Sequence, residues 1–110
     1  NYQLNLAIGY GGREEILDAI KRITKDAMAG KLDIDKLDEN KFREYLYDGR
    51  IPDPDLILRT SGEERISNFL LWQSAYSELY FSDVYWPEFS KLDFLRAIYS
   101  YQRRQRRFGR

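Results

Sequence analysis

The chain has 110 residues, 43% of them apolar and 15% aromatic, which is a globular composition and excludes an intrinsically disordered chain. Eighteen basic and eighteen acidic side chains cancel, so no net field favours nucleic acid or a membrane surface. Cysteine and histidine are both absent, which removes disulfides, thiolate metal sites and the commonest general base, and leaves carboxylates, arginines, hydroxyls and backbone dipoles for any chemistry.

The opening stretch "QLNLAIGY" alternates Leu4, Leu6 and Ile8 with smaller or polar residues and stops at Gly11-Gly12, which predicts a buried strand entering a tight turn. The chain starts without an initiator methionine and directly on this pattern, so the expectation is a piece of a longer protein. "GYGGR" lacks the spacing of a dinucleotide fingerprint, and no G-K-[ST] follows it, so the glycines read as a sharp turn that leaves Arg13 near a sheet rim. "REEILDAIKRITKDAMAG" then predicts a helix with Ile16, Ile20, Ile23 and Ala27 facing a core, acids in its first turn and Gly30 closing it.

Residues 33–55 hold eight acids, and "DIDKLDE" lacks the glycine and terminal glutamate of a calcium loop, so it reads as a solvated acidic face. A second helix is expected around 40–47, ending at Gly49. In "IPDPDLILRT" two prolines precede an apolar run, which predicts a strand starting near Asp55 and ending on Arg59. "SNFLLWQSAYSE" reads as a helical turn or short helix, and "LYFSDV" as another strand. "WPEF" breaks the chain, and Ser90 with Asp93 resembles a capping box opening a last helix. That helix should run to about Arg106 with Leu92, Leu95, Ile98 and Tyr101 toward the core. Strands alternating with helices predict an α/β fold, a parallel-sheet layer flanked by helices. No apolar run reaches the length of a membrane-spanning helix and no signal peptide is visible, which makes the cytoplasm the default compartment.

The chemistry concentrates after the strand ending in Arg59. In an open α/β sheet, ligands bind outside the carboxyl ends of the strands. Thr60, Ser61 and Gly62 can present backbone N–H groups to an anion, and Arg65 and Ser67 can converge on the same group. Two guanidinium forks and a hydroxyl match the oxygens of a diphosphate. The competing reading pairs both arginines with Glu63 and Glu64. Glu78 is a single carboxylate in an aromatic segment, costly to bury without a partner, and near a diphosphate it would suit magnesium. The terminal "RRQRRFGR" carries five arginines, and reads either as a nucleic-acid arm or as a segment docking on something specific.

"DLILRTSGEERISNFLLWQSAYSELYF", with "WPEF" and "RRQRRFGR", closely resembles the C-terminal half of the cis-prenyltransferases, typified by bacterial undecaprenyl diphosphate synthase. "NLAIGYGGREEI" is similar to an internal strand–glycine–arginine motif of the same family. The resemblance implies that the chain is the C-terminal portion of one domain, and that the enzyme condenses isopentenyl diphosphate with a farnesyl diphosphate-like allylic primer to make a cis-polyprenyl diphosphate such as undecaprenyl diphosphate. It further implies that Arg59, Arg65 and Ser67 hold the isopentenyl diphosphate head and that Glu78 is associated with Mg2+. Arg107 and Gly109, in the R-x-G motif, are implied to reach a partner's diphosphate across a homodimer interface. The family's D-G-N-G-R-W-like loop, with its catalytic aspartate, has no match here, so no catalytic residue is expected within these residues. The DDxxD motif of trans-prenyltransferases is absent as well. The alternative is a non-catalytic partner subunit lending its tail to a catalytic chain. Nucleic acid is not an expected partner, and membrane contact is expected at most peripherally, through a lipid product.

Overall fold

A computed structural model of the chain describes residues 2–60 and 67–104. The chain divides into two compact units, Asn1–Pro52 and Asp53–Arg110.

In the first unit, α1 (Gly12–Met28) carries Glu14 and Glu15 in its first turn and Lys25 in its last, the charge order that complements the helix dipole. It ends where Gly30 takes a left-handed φ of 74°, a conformation that suits glycine. The buried stripe is Gly12, Glu15, Ala19 and Ile23, turned from the expected one so that Ile20 stays exposed. The cause is Glu15. Glu15 is 3% exposed, and its carboxylate accepts the Tyr10 hydroxyl and the Tyr47 backbone N–H at 3.0 Å, which holds this face inward. A 3-10 turn at Ile34–Lys36 follows, then α2 (Glu39–Arg43), capped by Asp38, which accepts from Lys41 N at 2.8 Å. The helix expected through residue 47 stops four residues early. Beyond it, Tyr45 N donates to Phe42 O and Leu46 N to Arg43 O, tighter i→i−3 bonds that swing residues 45–47 back toward α1. Tyr45 donates to Asp26 at 2.7 Å and Tyr47 to Asp18 at 2.6 Å, and the Tyr10 and Tyr47 rings meet edge-on at 6.1 Å.

The strand expected over 4–8 does not form. Leu4, Leu6 and Ile8 are 84%, 79% and 91% exposed. Alternation supplies only one face of a strand, and a ladder needs a hydrogen-bonded neighbour, which residues 2–8 lack among the described residues.

In the second unit, β1 (Leu56–Arg59) and β2 (Glu78–Phe81) pair in parallel, with Leu56 opposite Glu78 and Arg59 opposite Phe81. Pro52 and Pro54 cannot donate to a ladder, so pairing starts just beyond them, where Glu78 N donates to Asp55 O at 2.9 Å. Ile57 is the buried residue of β1. The link between the strands, residues 60–77, has the length a parallel crossover requires. Its described residues hold turns over 71–76, with Ser74 N donating to Leu70 O. A 3-10 turn at Trp86–Glu88 stacks Trp86 on Phe89, and α3 (Lys91–Arg103) then packs against β2. The Ser90–Asp93 capping box is present in full. Leu92 and Leu95 are exposed, contrary to expectation, because α3 makes its close approach through the wholly buried Ala97.

Candidate functional site

Arg59 is the last residue of β1, and its carbonyl accepts Ser82 N at 2.8 Å, which fixes the strand's carboxyl end. Its side chain is half-buried at that rim. Beyond it, Ser67, Asn68 and Leu70 hold left-handed φ values of 57°, 64° and 48°. Non-glycine residues pay roughly 1 kcal/mol or more for such backbone, and strain of this kind concentrates at binding sites and switches. Ser67, the expected hydroxyl contact, is exposed and belongs to this strained stretch. Ser61, Gly62 and Arg65, together with the acids Glu63 and Glu64 that compete for the arginines, lie outside the described residues, as do Arg107 and Gly109.

Glu78 opens β2. Three residues of register separate it from the level of Arg59, about 10 Å along the strands. Arg59 and Glu78 therefore stand at opposite ends of the strand pair. What the fold brings to Glu78 is Arg104, whose Nη1 lies 3.4 Å from Oε2 and also donates to the Leu79 carbonyl. Arg104 caps the C-terminus of α3 in extended backbone, its N–H on Tyr101 O. The sequence places Arg104 within the last helix and its arginine-rich end and gives no pairing with Glu78. The available signal was the lone carboxylate itself, since a half-buried glutamate calls for a cation.

For a divalent cation the donor set is partial. Among the described residues no group of three His, Cys, Asp or Glu side chains comes together. Glu78 supplies one hard oxygen ligand, which fits magnesium's habit of taking one or two carboxylates and filling its octahedron with substrate phosphates and water. This single carboxylate fits a cation completed by phosphate oxygens and water, and not an all-protein cage.

A separate cavity of about 450 Å³ in the first unit is lined by Arg22, Glu44, Leu46, Tyr47, Asp48 and Arg50 among others. Its Arg50 sits 3.1 Å from Asp48, and the pair holds the carboxyl below its ordinary value and the guanidinium above its own. Cation and anion cancel there, so the cavity offers no field for a phosphate.

Comparison with known proteins extends the arrangement. Residues 1–109 match a prenyltransferase family described as "Putative undecaprenyl diphosphate synthase". A relative from Thermoplasma acidophilum named tritrans,polycis-undecaprenyl-diphosphate synthase (geranylgeranyl-diphosphate specific) is 94% identical over the whole chain, which spans 43% of that relative's length. The crystal structure of lavandulyl diphosphate synthase from Lavandula x intermedia in complex with dimethylallyl diphosphate is 40% identical with a TM-score of 0.88, over 94% of this chain and 44% of that one. A structure of a probable undecaprenyl diphosphate synthase from Campylobacter jejuni is 42% identical with a TM-score of 0.77, over 96% of this chain and 47% of that one. The parallel pair with α3 packed on it, the cation at its carboxyl rim and the family match agree: the chain belongs to the undecaprenyl diphosphate synthase family of prenyltransferases.

Proposed function

We propose that the protein carrying this chain is a cis-prenyltransferase, and that this segment, the C-terminal part of its single domain, supplies the isopentenyl diphosphate site. The reading rests above all on Arg59 at the carboxyl end of β1, followed by a loop whose Ser67 stands in strained left-handed backbone. A guanidinium at a sheet rim offers paired donors to a diphosphate, and each charge-assisted hydrogen bond is worth about 1.5–3 kcal/mol. Arg59, Arg65 and Ser67 hold the diphosphate of isopentenyl diphosphate. Glu78 serves as one ligand of a magnesium ion, and Arg107 and Gly109 serve a diphosphate across a homodimer interface.

The chemistry asks for little more from these residues. The bond between the allylic carbon and its diphosphate oxygen breaks, and the diphosphate leaves with the electron pair. The terminal alkene carbon of isopentenyl diphosphate bonds to the cationic allylic carbon, and a proton is lost to restore a double bond. Anchoring the charged tail of the nucleophile fixes where its alkene sits, so the arginines and Ser67 contribute through proximity. Magnesium, when bound, neutralises diphosphate charge as the leaving group departs.

The name of the Thermoplasma acidophilum relative specifies geranylgeranyl diphosphate, so we assign that primer in place of a farnesyl-like one. The test is a condensation assay on the full-length protein with radiolabelled isopentenyl diphosphate. The expected result is polyprenyl diphosphate made from geranylgeranyl diphosphate with a kcat/KM at least about tenfold above that with farnesyl diphosphate, the discrimination a pocket draws from a few methylenes. Absence of any condensation product contradicts the enzymatic reading; equal use of both primers contradicts the primer assignment alone.

A further inference from the structure

We propose that Arg104 is a positioning residue for the metal site: its guanidinium holds Oε2 of Glu78, so that Oε1 is the oxygen presented to a divalent cation bound with a diphosphate. The inference rests on the reading of Glu78 as a magnesium ligand and adds to it a residue outside the motifs that suggested that role.

The geometry is specific. Arg104 is fixed at both ends. Its backbone N–H donates to Tyr101 O at the close of α3, and its Nη1 donates to the Leu79 carbonyl, a backbone atom of β2. The same Nη1 lies 3.4 Å from Oε2 of Glu78. A carboxylate on a flexible stem is thereby tied to a guanidinium anchored on the backbone of the strand that carries it. Carboxylates that ligate metals are commonly held by such a partner, whose loss weakens metal binding about ten- to a hundredfold. With one oxygen engaged, the carboxylate meets the cation through the other, in the monodentate mode that suits octahedral magnesium. The side chains of Arg104 and Glu78 are 42% and 20% exposed, so the guanidinium also offsets the cost of burying most of the carboxylate, and the thermal midpoints below separate that role from positioning.

The test is calorimetric titration of Mg2+ into the full-length protein in the presence of inorganic diphosphate, comparing wild type with Arg104→Ala, Arg104→Lys and Glu78→Gln. Arg104→Ala is expected to raise the Mg2+ Kd about ten- to a hundredfold. Arg104→Lys should restore it to within a few-fold, since an ammonium keeps the charge and enough donors for both oxygens. The thermal midpoints of both arginine variants should stay close to wild type, which separates positioning from folding. If Glu78→Gln loses the metal while Arg104→Ala binds it as wild type does, the inference is overturned and the role of Glu78 stands. If Glu78→Gln binds Mg2+ unchanged, the role of Glu78 and the inference fall together. A common loss in both arginine variants, with lowered thermal midpoints, assigns Arg104 to folding and overturns the proposal.

Discussion

A phenol hydrogen-bonded to a carboxylate resists ionisation, because the phenolate would face a negative charge at contact distance. Tyr47 on Asp18 and Tyr45 on Asp26 are both in this position, and those hydrogen bonds raise both pKa values above the ordinary tyrosine value. A folded pKa above the unfolded one contributes stability that is fully present below about pH 10 and is lost as pH rises through the raised value. Carbon NMR titration of the ring Cζ signals in the intact protein should show Tyr47 titrating late, and an Asp18→Asn variant should bring its midpoint down; an unmoved midpoint contradicts the pairing. At this scale the position of Arg59 at the end of β1 was legible in the sequence, because an apolar run ends on it. The Glu78–Arg104 contact was not, since 26 residues separate the partners and only the packing of α3 on β2 joins them.

Elements that close locally matched expectation best. The Ser90–Asp93 box forms as read, and the Ser90 backbone N–H, then its hydroxyl, hold the Asp93 carboxyl below the usual aspartate range. A depressed pKa contributes stability above about pH 4 that is lost as pH falls through the folded value. Loss of the N-cap oxygen in Ser90→Ala should cost about 1 kcal/mol at neutral pH, and loss of its hydroxyl bond to Asp93 should flatten part of the acid limb of the stability curve, measured by urea unfolding at several pH values. An unchanged acid limb contradicts this account. Gly49 makes a second test: a Cβ there would lie 2.5 Å from the Arg43 carbonyl oxygen, so Gly49→Ala should destabilise by about 1–3 kcal/mol, whereas a neutral result contradicts the close approach. The α2 boundary and the buried stripe of α1 were misjudged for a shared reason. Periodicity reports which residues could face inward, and the bonds from Tyr10, Tyr45 and Tyr47 to α1 carboxylates decide which do.

For the whole molecule, the class of fold was legible from strands alternating with helices, and the two strands that can pair with each other do so in parallel. The segment over 2–8 carries a strand's alternation without a strand's partner among the described residues, and no local signal reports that difference. Leu4, Leu6 and Ile8, with Tyr85 and Trp86, leave apolar surface of the sort that drives association. Residues 1–110 expressed by themselves should self-associate, as read by light scattering after size exclusion; a monodisperse monomer at tens of micromolar contradicts that expectation. The central claim is that a diphosphate is gripped at the carboxyl rim of β1, and calorimetric titration of isopentenyl diphosphate into full-length wild type and Arg59→Ala tests it most directly. The account predicts a Kd raised about ten- to a hundredfold in the variant, the worth of one charge-assisted contact. Equal affinity in the two proteins, both folded, would contradict it.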